Sequence, residues 1–111
     1  MNVLKISIAK DFSEAPAGRY HPADGDFTGE KFRNEILIPA LNKHDAVIVV
    51  FDNESGYGSS FIEEAFGGLV RVSGFKKSWL KDHLTFEATE DNATYIDEAL
   101  GDIEVAIENN N

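Results

Sequence analysis

Apolar and polar positions alternate at the start of the chain, where Leu4, Ile6 and Ile8 interleave with Lys5 and Ser7 over residues 3–9. That period of two predicts a strand with one buried face. Residues 11–27 hold two Pro, two Gly and many polar side chains, so they read as a loop or short irregular hairpin. From Thr28 the period becomes helical: Thr28 is a natural N-cap, and Phe32, Ile36, Leu37, Ala40 and Leu41 fall on one stripe. Pro39 lies inside this pattern and is expected to kink or split the helix, because it lacks a backbone donor. Residues 46–51, AVIVVF, are apolar at every position, as in a central strand covered on both faces.

A Gly- and Ser-rich loop follows, then a helix with Phe61, Ala65, Phe66, Leu69 and Val70 on its stripe and Glu63 and Glu64 outside it. Gly67 and Gly68 interrupt that helix and suggest the close approach of another backbone. Gly74 is a stop signal. Residues 83–88, HLTFEA, alternate as a strand. The remainder reads as a helix with Ile96, Ala99, Leu100, Ile103 and Ile107 inward. The expected order is strand, loop, helix, strand, helix, strand, helix. That is an α/β fold with a mixed or mostly parallel sheet and crossover helices, a single domain over residues 1–108 with a frayed tail at 109–111.

Composition narrows the function. The sequence has 111 residues and no Cys, which removes disulfides and thiolate chemistry. Its start is too short and too alternating for a signal peptide, and no run nears the ~20 apolar residues of a membrane helix, so the expected compartment is the cytoplasm. Ten basic and twenty acidic residues give a net charge of −10. The last Lys or Arg is Lys81, and nine acids lie beyond it, so that stretch carries −9 while the first 81 residues are nearly balanced. Such a field repels nucleic acid and anionic membranes and attracts a basic protein.

The loop 53–60, NESGYGSS, sits where a strand's carboxyl end meets a helix start, the usual place for function in an open α/β sheet. It has no Lys for a nucleotide-binding P-loop, and Ser60 lacks the following glycine of a nucleophile elbow. Ser60 and Glu63 have capping-box spacing. Tyr57 and Phe61 are aromatic, as interface anchors often are, with packing as the other reading. Asp24, Asp26, Thr28 and Glu35 share spacing with a calcium loop, but two Pro and a Gly precede them where a helix is required; the match is read as fortuitous and no metal is assigned. His21, His44 and His83 show no ligand spacing, and nothing in the pattern favours a catalytic triad with Ser60. No cofactor is indicated, and a non-enzyme is expected.

The segment GRYHPADGDFTGEKFRNEILIPAL, followed by an apolar strand and GYGSSFIEEAFGGLVR, resembles a bacterial family described as a STAS-like domain of unknown function, similar to the STAS domains of anti-sigma factor antagonists. The resemblance runs over about residues 3–105 and is carried by Gly18-Arg19, Thr28-Gly29-Glu30 and Ser59-Ser60-Phe61. It implies a STAS-like fold and a regulatory protein-binding role. In the antagonists, a serine at the start of this helix is phosphorylated by a histidine-kinase-like ATPase that is also the anti-sigma factor. Carried over by position, Ser60 is the phosphoacceptor and Ser59 its neighbour; Glu54, Tyr57, Gly58 and Arg19 are read as partner-binding residues, Arg19 either holding a carboxylate or binding a phosphate near the Ser60 helix. The antagonists have an Asp two residues before the acceptor, where this chain has Gly58, and a glycine after it, where this chain has Phe61. The alternative is an acidic decoy that binds a basic, nucleic-acid-binding protein through Asp97, Glu98, Asp102, Glu104 and Glu108.

Overall fold

A computed structural model describes residues 2–108. Strand β1 (Val3–Ser7) ends where the side chain of Ser7 accepts the Lys10 N–H and caps a one-turn helix, α1 (Ile8–Asp11). Ile8, expected in the strand, is therefore buried in that turn. A looped segment leads to Thr28, whose hydroxyl accepts the Lys31 N–H at 3.2 Å.

Helix α2 runs without a break over residues 29–43, as α-helix at Gly29–Phe32, a widened π turn at Arg33–Leu37, and α-helix again at Ile38–Lys43. Pro39 does not split it. The Ile38 N–H bonds to the Arg33 carbonyl five residues back, so the turn into which the proline ring projects is already wide enough. Strand β2 (Ala46–Phe51) follows, then helix α3 over residues 59–71, again with a π turn, at Glu63–Gly67. Helix α4 (Lys77–His83) comes next and was not legible as a helix from the sequence. Its first N–H, on Lys77, is taken by the Glu108 carboxylate at 2.8 Å, so its cap comes from 31 residues away. Strand β3 (Leu84–Ala88), a 3-10 turn (Glu90–Asn92) and helix α5 (Thr94–Val105) complete the fold.

The sheet is all parallel in the order β1-β2-β3, with Ile6 level with Val49 and Val49 level with Phe86. Ile6, Val47, Val49, Phe51 and Leu84 are buried on one face, together with Phe32, Phe61, Phe66, Leu69 and Val70 from the helices. The other face is open. Lys5 and Glu87 pair there at 3.0 Å with side chains 57% and 51% exposed, flanking the half-buried Ala46, Ile48 and Val50. β2 is thus covered on one face, not two. The strands step in one direction, so right-handed crossovers deliver both connecting helices to the same side. Two further expectations change. In α5, Ala99 and Ile103 are buried, whereas Leu100 is 49% exposed and Ile107 lies past the helix end in solvent. Glu64, expected outside the α3 stripe, is inside the core. The tail expected to fray, 109–111, lies outside the described residues.

Candidate functional site

The carboxyl ends of β1 and β2 are tied together before the Ser-rich loop begins. Asp52 accepts the Ser7 hydroxyl at 2.5 Å and the Ala9 N–H at 3.0 Å. Asn53 is buried: its amide donates to the Ser13 carbonyl at 2.7 Å, while its own N–H donates to the Tyr57 hydroxyl at 3.0 Å. That hydroxyl in turn donates to Asn53 Oδ1 at 2.6 Å. Asn92 fixes the loop from the other side by donating to the carbonyls of Phe51 and Asn53. Gly56 has φ +73° and a Cβ there would meet the Tyr95 hydroxyl, so the turn needs glycine on two counts.

Tyr57 packs among Phe51, Phe61 and Tyr95, with ring centroids 5.0–6.1 Å apart. Burial pushes its phenol up to about 12. Tyr57 is therefore a strut that stiffens the loop from inside, not an anchor offered to solvent; Phe61 is core as well. The loop's outward surface consists of Glu54, Ser55, Gly58, Ser59 and Ser60.

The expected capping box does not form. Gly58 occupies the N-cap position of α3 with no side-chain cap, and Ser59 is already helical. Ser60 therefore sits two residues too far inside to cap. Both serines are exposed, and among the described residues neither hydroxyl enters a hydrogen bond. They stand at the positive end of a helix whose first N–H groups have no side-chain partner.

Glu63, the other half of the expected box, faces away to guanidinium groups. It pairs with Arg19 and, through both oxygens, with Arg71. Burial pushes its carboxyl up, but the hydrogen bonds from Arg71 and Arg19 outweigh this and hold it below the ordinary carboxylate value. Glu64 is the hub: Arg33 reaches it at 2.6 Å, Arg19 at 3.0 Å and Arg71 at 3.3 Å. Arg33 and Glu64 are each 2% exposed. Gly68 makes this pair possible, because a Cβ there would collide with the Arg33 guanidinium, and a Cβ on Gly67 would meet the Glu63 carboxylate. The glycines thus admit charged side chains more than another backbone. The closest backbone approach is at Gly29, where a Cβ would lie 2.5 Å from the Phe61 carbonyl. Asp102 from α5 completes the cluster. Burial, then Glu63 and Glu98, push its carboxyl up, and its Oδ2 is buried without a hydrogen-bond partner.

Arg19, whether carboxylate holder or phosphate ligand in the sequence, is committed here to two carboxylates. The remaining residues singled out from the sequence scatter. Asp24 accepts the Tyr20 N–H, Thr28 caps α2, Asp26 and Glu35 are exposed, and no group of His, Asp or Glu able to hold a metal occurs among the described residues. Each histidine ring bonds a backbone carbonyl: His21 that of Gly25, His44 that of Ala40 and His83 that of Asp45. His83 precedes the start of β3 and Ser60 follows the end of β2, so they lie at opposite ends of a parallel sheet. Of the acidic face, Asp97 and Glu104 are exposed and Glu98 is half-buried, while Asp102 is half-buried with its Oδ2 out of solvent and Glu108 caps α4. No described helix is long and apolar enough to cross a membrane. Arg33, Asn53 and Asn92 were missed from the sequence; two adjacent glycines opposite a helix carrying an Arg were the available signal for the first.

The family model described as a STAS-like domain of unknown function matches residues 28–94, more than half of the chain. The match takes in Thr28-Gly29-Glu30 and Ser59-Ser60-Phe61 and leaves Gly18-Arg19 outside. No curated protein and no solved structure matches the chain. With residues 28–94 spanning α2, both π turns, the serine loop and β3, the chain belongs to the STAS-like family of unknown function.

Proposed function

We propose that the protein is a non-enzymatic regulatory module that docks on a protein partner through the outward surface of residues 54–60 and is switched by phosphorylation of Ser60, with Ser59 as the neighbouring acceptor. The observation that carries this reading is the pair of exposed serine hydroxyls at a helix start whose cap is a glycine. A capping serine would have its oxygen tied to the backbone; these do not. The loop behind them is held by Asn53, Tyr57 and Asn92, so a partner meets a preformed surface and little ordering entropy is lost.

A phosphoserine adds about −1.5 to −2 charge. The dipole of α3 tolerates it. Arg19, the nearest candidate counter-charge in the sequence reading, is already taken by Glu63 and Glu64, so the new charge stays available to repel or release a partner. The partner class implied by the family resemblance is a histidine-kinase-like ATPase or a related regulator. The acidic-decoy reading gains no specific support, since Asp102 Oδ2 is buried and Glu108 caps α4.

The test is affinity capture from the native host with wild-type bait, Ser60→Asp, Ser60→Ala and Asp97→Lys/Glu104→Lys. A regulator or ATPase retained by wild type and Ser60→Ala and lost with Ser60→Asp supports the reading. A catch that ignores Ser60→Asp and disappears with the two α5 substitutions overturns it.

A further inference from the structure

The sheet ends at β3, whose outer edge has no strand beside it among the described residues. Along that edge runs a groove of about 640 Å³ between α4 and α5. Its floor is Leu84, Thr85 and Phe86, and Ile96 and Leu100 form the α5 wall. Leu100 is half-exposed in mid-helix, and Phe86 and Ile96 are only partly buried. Water therefore meets apolar side chains beside unpaired strand backbone, a combination that folded proteins normally cover or blunt with charge. The opposite edge is blunted. The shallower groove beside β1 is rimmed by Lys5, Asp11, Glu35 and Lys43. At β3 the charged rim is Lys77, Lys81 and Glu104, and the Lys77 ammonium is already on the Glu104 carbonyl at 2.6 Å.

We propose that this edge accepts a fourth strand, an extended segment of a partner protein in which apolar side chains alternate with basic ones. Strand addition satisfies the backbone groups of β3 that point away from β2. Successive side chains of an added strand face opposite sides of the sheet. One set enters the groove against Phe86, Ile96 and Leu100. The other lies on the open face beside Glu87, which is half-exposed. Charge chooses the basic sequence: Lys77 and Lys81 line the groove, but Lys77 is held on the Glu104 carbonyl, the chain from Asp82 onward carries −9 and no Lys or Arg, and Asp97 and Glu104 stand exposed on α5 next to the groove wall. A second copy of this chain would bring two such stretches together, which like-charge repulsion opposes. The groove lies along β3 and α5, not at the start of α3, so this docking stands independently of any phosphorylation at Ser60.

The experiment titrates the full chain, labelled for amide NMR, with a short synthetic peptide alternating valine and lysine. Two controls accompany it: the same peptide N-methylated at alternate residues, which removes the donors of one strand edge, and the Leu100→Glu variant, whose side chain is exposed enough for the fold to survive, as a thermal melt checks. The expected result is slowed hydrogen exchange at Phe86, whose N–H points away from β2 because the alternate Thr89 N–H donates to the Phe51 carbonyl, with affinity falling at least about tenfold for both controls. Equal affinity for the N-methylated peptide, indifference to Leu100→Glu, protection at β1 instead of β3, or no binding at millimolar peptide overturns the proposal. So does a groove that takes a fatty acid but not the peptide.

Discussion

Replacing Glu64 by Gln removes one negative charge from the centre of three guanidinium groups while keeping the side chain's shape. Arg33, 2% exposed, has its guanidinium on the Glu64 carboxylate and on the Glu64 carbonyl, each at 2.6 Å. After the substitution the carbonyl remains but the charge partner is gone, and an uncompensated buried guanidinium costs about 3–5 kcal/mol. Against a total stability of about 5–15 kcal/mol for a domain, that is a large fraction, expressed as a fall in melting temperature of roughly 10–20 °C. Arg33→Met costs less, because Glu64 keeps Arg19 at 3.0 Å and Arg71 at 3.3 Å. The double variant Arg33→Met/Glu64→Leu lands within about 1.5 kcal/mol of wild type, since neither charge is left stranded. Urea unfolding followed by the single Trp, Trp79, with equal slopes for all variants, reads these values directly. A Glu64→Gln variant within about 0.5 kcal/mol of wild type, or a double variant as damaged as the two singles added, refutes the reasoning.

Three further outcomes follow from the same geometry. Gly68→Ala is expected to destabilise by about 1–3 kcal/mol because its Cβ meets a guanidinium that cannot move aside, whereas Gly101→Ala, with open space around it in the middle of α5, stabilises by about 0.5–1 kcal/mol; parallel thermal melts separate them. Asp102 has its folded carboxyl raised above 3.8, so its ionisation opposes folding as pH rises through that window, and Asp102→Asn should stabilise at neutral pH with the gain fading as pH falls toward 3.8. Glu63 has the opposite sign: held below 4.5, it contributes stability above that pH which is lost on acidification, and Glu63→Gln should flatten the acid limb of the stability curve measured by urea midpoints.

The strands and the long helices were legible because their cores are periodic: Leu4 and Ile6, the AVIVVF run, and the Phe61 to Val70 stripe each follow one period and one only. What escaped depends on distant partners. Helix α4 opens at Lys77 because Glu108 supplies its cap, and no local motif announces a cap from the far end of the chain. Glu64 reads as a surface acid until Arg33, on another helix, is placed beside it through the gap at Gly68. The serine loop shows both sides. Its position at a strand end and helix start was visible, and Ser59 and Ser60 are where the sequence put them. Yet the helix begins at Ser59, two residues earlier than a capping box on Ser60 requires, and Tyr57 turns inward because the Asn53 backbone and side chain offer its hydroxyl two partners that the sequence does not reveal.

The most direct measurement is phosphate mapping on the protein purified from its own host, by mass spectrometry of the peptide spanning residues 54–71, with and without phosphatase treatment. The switch reading expects a phosphate on Ser60 or Ser59 in a fraction of molecules, with thermal stability of that fraction equal to or slightly above the unmodified protein, since the α3 dipole accepts the charge. A peptide unmodified under every growth condition, from a protein whose partner is held equally well by Ser60→Asp, contradicts it.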